Sequence, residues 1–207
     1  MLNLLFACAA ILPVAVLMSM TGRGGGNFYV PLLLVAGASV YEAATTSQLI
    51  LIGTAASALL VFQKHHTVDW KLALVIDPPT DIMAFVGGYY AHQLGGMELK
   101  LLLVGLLVLS SFLMLRRVDE KSPRRKRSGF GFWYRQYGGY EYTVNLWLAI
   151  PITAATGLVA GMVGISGGSF KIPLMVLACG VPMRVAVGTS SGMVAATALM
   201  GFLGHAI

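Results

Sequence analysis

The chain has 207 residues and a formal net charge of +6; 57% of its residues are hydrophobic and only 11% are charged. Ordinary globular proteins carry about 25% charged residues. A soluble surface cannot be covered with so few charges, so the composition argues against any soluble domain and indicates that lipid is the solvent.

Apolar runs along the chain predict the membrane helices. Six runs approach or reach the roughly 20 residues that a bilayer-spanning helix needs, and they lie at 4–20, 43–62, 72–94, 99–115, 144–162 and 185–203. Two further runs, 28–38 and 170–179, are too short to span a bilayer unaided. We therefore expect an all-α polytopic membrane protein.

Basic residues are concentrated between two of the long runs. Eight of the 14 Lys and Arg residues lie there, at positions 116, 117, 121, 124, 125, 126, 127 and 135. A nucleic-acid-binding patch is one interpretation, but the excess of basic residues in cytoplasmic loops of membrane proteins explains the cluster more simply. Aromatic residues between 132 and 142 suit a segment at the lipid headgroups. We predict that 116–142 is a basic cytoplasmic loop next to lipid, and that the protein binds no nucleic acid.

Two stretches of the sequence match each other. Aligning Pro31 with Pro173 superposes TGRGGGNFYVP on VGISGGSFKIP. The alignment pairs Gly22 with Gly164, Gly25 with Gly167, Gly26 with Gly168, Phe28 with Phe170, Leu32 with Leu174 and, after one inserted residue, Thr46 and Ser47 with Thr189 and Ser190. Chance could supply the glycines but is a poor account of the whole ordered set, so we predict an internal duplication.

The duplication predicts how the chain is organised. The first transmembrane repeat covers 1–115, the basic loop 116–142 joins the halves, and the second repeat covers 143–207. Two halves that flank an odd number of crossings are inverted relative to each other, which is a recurring plan of secondary transporters. Nothing in the second half corresponds to the runs 72–94 and 99–115. We therefore expect the second repeat to be incomplete and the chain to be a fragment, rather than a protein that has lost two helices.

A cation lies in each glycine-rich stretch, Arg23 in the first and Lys171 in the second. A glycine-rich break inside a membrane is tolerated only where it lines protein or a watery cavity, and the helix that follows presents N–H groups that suit an anion. A cation buried in hydrocarbon costs about 3 kcal/mol and is usually functional. We predict an anion site here, completed by the small polar residues Asn27, Ser166 and Ser169. The alternative is that the glycines serve only helix packing and that both cations reach the membrane surface.

A second polar group lies inside the run 72–94, where the sequence reads DPPTD from Asp77 to Asp81. The two aspartates are four residues apart, on one helical face, and the prolines are expected to kink or break the helix. The acids are candidates for a proton or counter-cation relay; alternatively, the break lies near the membrane surface and both acids are hydrated. The Thr-Ser pairs at 46–47 and 189–190 either face the transport pathway or bond their own helix backbones.

No group of residues in the sequence resembles a catalytic or cofactor site. There is no nucleophile–base arrangement, no phosphate-binding loop and no metal-binding set. Cys8 and Cys179 both lie in apolar runs, which is typical of small buried residues rather than of a disulfide or metal pair. We predict that the protein is not an enzyme and uses no metal or cofactor.

The two glycine-rich stretches resemble the signatures of a known family. GMVGISGGSFKIPLMVLACGVPMRVAVGTSSGMVAATALMGFLGH closely resembles the second signature of the sulfite exporter TauE/SafE family of membrane permeases, and TGRGGGNFYVPLLL, followed by ATTS, is similar to a divergent form of the first. By this match the signature positions are Gly22, Gly25, Gly26, Thr46 and Ser47 in the first copy and Gly164, Gly167, Gly168, Thr189 and Ser190 in the second.

The resemblance implies an all-α, two-repeat permease of a bacterial or archaeal inner membrane that moves small sulfur-containing anions such as sulfite or organosulfonates. We predict a secondary transporter in which Arg23 and Lys171 hold the anion and Asp77 and Asp81 are coupling groups; these roles rest on the physical argument alone. The alternatives are a permease for another small anion or a cation-coupled substrate, and a membrane scaffold that docks partners through the basic loop. The identity of the anion, the direction of transport and the oligomeric state stay open.

Overall fold

The structure is a computed structural model that describes residues 2–115, 130–165 and 167–207. Ser166 and the basic residues predicted between 116 and 127 lie outside the described residues. The described part is mostly helical, and each predicted apolar run forms a helix. The helices are α1 (Leu2–Met20), α2 (Gly26–Val35), α3 (Val40–Lys64), α4 (Trp70–Tyr90), α5 (Gly96–Leu115), α6 (Leu146–Val163), α7 (Gly168–Pro173) and α8 (Met183–Ala206).

Local sequence explains where several of these helices begin and end. Ser39 and Glu42 form a reciprocal capping box at the start of α3, which satisfies two backbone N–H groups that have no partner within the helix. The side chain of Asp69 caps α4 by accepting from the backbone N–H groups of Lys71 and Leu72. α6 ends at Gly164, whose φ of 74° is left-handed and therefore favours glycine.

Three of the described helices, α3, α6 and α8, are long and apolar enough to cross a membrane by length and composition alone. α4 has 21 residues, but Lys71, Asp77 and Asp81 lie within it. The short runs form α2 and α7, and α7 continues into a single π-helical turn, Leu174–Ala178. The chain is thus a multi-pass helical protein in which short helices accompany the long ones.

A β-hairpin replaces part of the predicted loop, so the prediction of an all-α fold is wrong for this segment. Strand β1 (Phe132–Tyr137) pairs antiparallel with β2 (Tyr140–Asn145), with Tyr137 opposite Tyr140. The two-residue connection is Gly138-Gly139, with φ of 58° and 81°. Left-handed values at both central residues match the twist of paired strands, which is why Gly-Gly is a favoured hairpin turn.

The hairpin packs into the core instead of lying apart from it. Tyr142 and Val144 of β2 are buried in one hydrophobic cluster with Leu72 and Ile76 of α4 and Met175, which follows α7. Because the residues of β2 alternate in direction, Tyr142 and Val144 face the helices together. This packing holds the hairpin against the first turns of α4.

Glycines allow α6 to lie directly against α4. A Cβ atom added at Gly157 would collide with the backbone of Thr80, and one added at Gly161 would collide with the backbone of Ala84. Small residues at such contacts bring helix backbones together in membrane proteins. α4 is consequently held between α6 and α8, and it presents its two aspartates inside the bundle.

Candidate functional site

Two glycine turns lie against helices from the opposite half of the chain. The first glycine turn, 21–25, joins α1 to α2. The second glycine turn, 164–167, joins α6 to α7. Ser190 of α8 donates to the carbonyl oxygen of Gly22 at 2.6 Å, and Ser47 of α3 donates to the carbonyl oxygen of Gly164 at 2.9 Å. The two bonds join residues at aligned positions of the two stretches, so each turn is held by the Thr-Ser segment of the other half.

The turns require glycine for both conformation and space. Gly22 has a φ of 65° and Gly164 a φ of 74°, values that only glycine adopts without cost. A Cβ atom at Gly22 would meet the backbone of Val187, and one at Gly164 would meet the backbone of Ala44. These glycines therefore place α8 and α3 in direct contact with the turns.

The backbones of the two turn regions also approach each other. A Cβ atom at Gly168 would lie 3.1 Å from the carbonyl oxygen of Arg23 and 3.2 Å from its Cα atom. Gly25, with a φ of 86°, is the N-cap of α2, and the buried Gly26 is the first residue of that helix. The structure thus brings Arg23 and the start of α7 together, as a shared site requires.

Lys171 lies at this crossing with only 1% of its surface exposed. Its side chain folds back over Gly167, with Nζ 3.5 Å from the position that a Cβ atom would take there. The ammonium forms an ion pair with Oδ1 of Asp77 on α4. It also donates to the hydroxyl of Thr197 at 2.6 Å and towards the carbonyl oxygen of Met193 at 3.4 Å. The alternative that Lys171 reaches the membrane surface is therefore wrong.

Thr197 connects the ion pair to the second aspartate. Its hydroxyl accepts from Lys171 and donates to Oδ1 of Asp81 at 2.7 Å; the carbonyl oxygen of Met193, at 2.8 Å, is a second acceptor for the same hydrogen. Asp77 is 6% exposed, whereas Asp81 is only partly buried. We call Lys171, Asp77, Asp81 and Thr197 the lysine–aspartate cluster.

The prolines between the two aspartates do not break the helix. The sequence predicts a kink or a break, but α4 runs from Trp70 to Tyr90 through Pro78 and Pro79, so the prediction of a break is wrong. Each proline removes one N–H donor from the helix, but the flanking turns continue and keep Asp77 and Asp81 on one face. The buried position of Asp77 also contradicts the alternative in which both acids are hydrated.

The remaining predicted residues lie around the turns rather than in the cluster. Asn27 donates to the hydroxyl of Ser110 on α5 at 3.3 Å, and Ser169 is buried in α7. Thr46 is exposed on α3. Thr189 is fully buried, but its hydroxyl accepts from the backbone N–H of Asp69 at 3.0 Å, at the start of α4. Of the two predicted Thr-Ser pairs, both serines bond described glycines of the turns.

A second ion pair, which the sequence reasoning missed, joins the hairpin to α4. Arg135 donates from Nε and Nη2 to the two oxygens of Asp69 at 2.7 and 2.6 Å. Tyr142 donates to Oδ2 of Asp69 at 2.5 Å. We call Asp69, Arg135 and Tyr142 the hairpin anchor. The available signal was Asp69 placed directly before an apolar run, which is typical of a helix N-cap.

Electrostatics in the hairpin anchor favour the charged pair. Burial would by itself raise the pKa of Asp69, but the hydrogen bonds from Arg135 and Tyr142 outweigh it and hold the pKa below its ordinary value. The same contact with Asp69 raises the pKa of Arg135. Burial, together with the bond to Asp69, raises the pKa of Tyr142. The anchor is therefore ionic at neutral pH.

A further group of polar side chains lies near the C-terminal end of α8. The hydroxyl of Tyr41 lies 2.5 Å from Nε2 of His92 and bonds the carbonyl oxygen of His205. The side chains of His205 and Gln48 both contact the carbonyl oxygen of Gly161, at 2.9 and 3.1 Å. No group of three His, Cys, Asp or Glu side chains able to hold a metal ion occurs among the described residues.

Comparisons with known proteins assign the chain to a family. The family model described as "Sulfite exporter TauE/SafE" matches residues 6–207. "Probable membrane transporter protein YunE" of Bacillus subtilis (strain 168) is 26% identical over 199 residues, which cover 91% of this chain and 73% of that protein. A "Probable membrane transporter protein" of Xylella fastidiosa (strain Temecula1) is 27% identical over 199 residues, which cover 91% of this chain and 69% of that protein.

No solved structure matches the chain, so the assignment rests on sequence. The family model extends across both glycine turns, the lysine–aspartate cluster and the hairpin, because all of them lie within 6–207. The chain belongs to the sulfite exporter TauE/SafE family of membrane transporters.

Proposed function

We propose that the protein is a secondary transporter that moves a small sulfur-containing anion, such as sulfite or an organosulfonate, across a bacterial or archaeal inner membrane. The observation that carries this proposal is the buried position of Lys171 at the crossing of the two glycine turns. A cation inside a membrane bundle is costly and usually belongs to a substrate or ion pathway. In a transporter family whose description names sulfite, an anion is the ligand that best fits this cation.

The reciprocal bonds at the turns support a two-repeat organisation. Ser47 bonds Gly164 and Ser190 bonds Gly22, as expected when two equivalent units exchange equivalent contacts. Transporters built from inverted repeats place their substrate near the membrane midplane, where discontinuous helices of the two repeats meet. We therefore place the substrate beside Lys171, with Arg23, Ser169 and the glycine turns around it, and the hairpin on the cytoplasmic side.

The two aspartates are the proposed coupling groups. The lysine–aspartate cluster contains one ammonium and two carboxylates, and both carboxylates are within reach of the hydroxyl of Thr197. With both acids ionised, the cluster has an excess negative charge that a proton or another small cation can neutralise. Coupling of transport to a cation is consistent with this composition.

Uptake into proteoliposomes tests the proposal. The purified chain should accumulate radiolabelled sulfite or a sulfonate above empty liposomes, and excess unlabelled sulfite should compete while chloride should not. Lys171→Met should abolish the uptake, whereas Lys100→Met, which removes an exposed lysine of α5, should leave it unchanged. Uptake that persists in Lys171→Met would exclude Lys171 as the substrate-binding cation.

A folding control keeps this result interpretable. Removal of the lysine leaves Asp77 without its ionic partner, which destabilises a buried pair. Lys171→Met with Asp77→Asn removes both charges and should restore the thermal stability without restoring uptake. A double variant that folds and still transports the sulfur anion would refute the proposed site.

A further inference from the structure

Lys171 has no donor left for a substrate in the state that the structure describes. An ammonium has three hydrogens, and three acceptors surround this one: Oδ1 of Asp77, the hydroxyl of Thr197 and the carbonyl oxygen of Met193. An anion that binds the ammonium must therefore take the place of one of these three groups.

Asp77 is the group whose replacement costs least. Met193 contributes a backbone carbonyl of α8, which cannot leave without distorting the helix, and Thr197 lies one turn further along the same helix. Neither carries charge. Removal of the carboxylate would leave a buried ammonium without a counter-ion, which is strongly unfavourable, but an incoming anion restores the missing negative charge.

We infer that Asp77 is the internal anion of the empty site and that transfer of a proton to Asp77 releases Lys171 to the substrate anion. This inference rests on the proposed function. In the step, a proton from solution bonds to a carboxylate oxygen of Asp77 and gives a neutral acid, while Lys171 keeps all its hydrogens. The ion pair with Asp77 is replaced by one with the substrate, and on release the proton leaves and the original pair reforms.

The charge of the cluster explains why one proton accompanies one anion. With both aspartates ionised, the cluster carries one positive and two negative charges; protonation of Asp77 neutralises it, and a bound monoanion restores the original value. The empty and the loaded site therefore have the same net charge, so binding adds no further uncompensated charge to the cluster. Net movement then follows the sum of the proton and anion gradients.

Asp81 is a poorer candidate for this proton. Its oxygen bonds Thr197 and not the ammonium, so its protonation would leave Lys171 still paired with Asp77. It is also less buried than Asp77, which lessens the cost of keeping its charge. Asp81 fits the role of the carboxylate that stays ionised and holds the hydroxyl of Thr197 in place.

The other charged groups around α4 lie farther from Asp77. α6, which packs along α4, contributes no ionisable side chain. α8 contributes Thr197, while its ionisable residues Arg184 and His205 lie near its two ends. The hairpin anchor lies at Asp69, eight residues before Asp77 and about 12 Å away along the helix. Among the described groups on α4 and the helices packed against it, Lys171 and Asp81 are thus the charges that act on Asp77.

Calorimetry on the wild-type chain in lipid nanodiscs tests the inference without any substitution. Methanesulfonate is the probe, because its charge is constant between about pH 5 and pH 8, in the range where a perturbed carboxyl can titrate. Titrations in two buffers of different ionisation enthalpy count the protons bound with each anion. We expect uptake approaching one proton per sulfonate where Asp77 is ionised in the empty site, and a Kd that rises by up to about tenfold per pH unit there.

Two matched variants identify the proton acceptor. Asp77→Asn mimics the protonated acid, so it should bind methanesulfonate at least about tenfold more tightly near pH 8 than the wild type and with no proton uptake. Asp81→Asn removes the acceptor that holds Thr197, so its affinity for methanesulfonate changes, but a proton should still be taken up with each anion. Uptake that persists in Asp77→Asn and disappears in Asp81→Asn would assign the proton to Asp81 and overturn the inference.

The outcomes separate this inference from the proposed function. Wild-type binding of methanesulfonate without proton uptake at any of these pH values would overturn the inference and leave the anion site intact. Absence of binding by methanesulfonate, sulfite and sulfate in the wild type and in Asp77→Asn would overturn the proposed function. If Asp77→Asn does not fold, the comparison of the proton count of the wild type with that of Asp81→Asn decides, because uptake lost in Asp81→Asn would overturn the inference.

Discussion

The first and second glycine turns can be compared residue by residue, because the alignment of Pro31 with Pro173 relates them. In both turns the first glycine is left-handed, at 65° and 74°, and its carbonyl oxygen accepts from a serine of the opposite half. In both turns, a side chain four residues after an aligned glycine folds back over that glycine. Tyr29 covers Gly25, and Lys171 covers Gly167.

The turns differ in the chemistry of that covering side chain. Tyr29 is neutral and fully buried, and Thr54, which aligns with Thr197, donates to backbone carbonyls including that of Gly24 at 3.3 Å. In the second turn, Lys171 and Thr197 instead meet two carboxylates of α4. Glycines and serines therefore build both crossings, whereas the buried ion pair of Lys171 with Asp77 lies at the second.

Removal of the polar group from the covering side chain should have very unequal effects in the two turns. Lys171→Met leaves the buried Asp77 without its cationic partner, so we expect a loss of about 3–5 kcal/mol in unfolding free energy together with loss of transport. Tyr29→Phe removes only a hydroxyl and should cost about 1 kcal/mol or less, with transport retained. Thermal melting in detergent measures the loss of stability, and the uptake assay measures the loss of transport. Equal losses in the two variants would contradict the proposed difference between the turns.

Alanine at the first glycine of each turn should instead cause similar losses. Gly22→Ala and Gly164→Ala each place a side chain at a left-handed φ, which costs about 1–2 kcal/mol, and press a methyl group into a neighbouring backbone, which adds about 1–3 kcal/mol. Gly53→Ala is the matched control, because open space surrounds that helical glycine and alanine is the better helix former. Melting temperatures that fall for only one turn would show that the turns are not equivalent.

Much of the fold follows from local sequence. Apolar runs long enough for a bilayer predicted every long helix, and the short runs predicted α2 and α7, because lipid forces backbone hydrogen bonds to close within a helix. The hairpin was missed because its strands are only six residues each and lie in a segment whose basic charge indicated a loop. Its signal was Gly138-Gly139 between two aromatic-rich stretches.

Individual residues of the candidate site could be predicted from the sequence, but the contacts between them could not. The cost of a buried cation identified Lys171, and spacing placed Asp77 and Asp81 on one face. Lys171 and Asp77 are 94 residues apart in the chain, and composition or periodicity carries no information on which residues meet across that distance. For the same reason the sequence left open whether Thr189 faces the transport pathway or bonds its own helix backbone; in the structure its hydroxyl accepts from the backbone N–H of Asp69.

The two halves also differ at the hairpin anchor, where we expect a moderate effect on stability. Thr189 is buried against Asp69, whereas its aligned counterpart Thr46 is exposed. Arg135→Met removes the charged donor to Asp69 and should cost about 2 kcal/mol at neutral pH, whereas Arg184→Met, at an exposed arginine of α8, should cost little.

The pH dependence of the stability lost in Arg135→Met identifies the cause of the loss. Since the pKa of Asp69 is lowered on folding, its carboxylate stabilises the folded state above the ordinary aspartate value of about 4, and this contribution is lost as the pH falls through the lower folded value. The difference in melting temperature between the wild type and Arg135→Met should therefore be full at neutral pH and narrow below about pH 4. A difference that stays constant into acid would mean that Arg135 stabilises the hairpin by packing, for instance on Trp133, whose ring centre lies 5.2 Å from its guanidinium carbon, and not through Asp69.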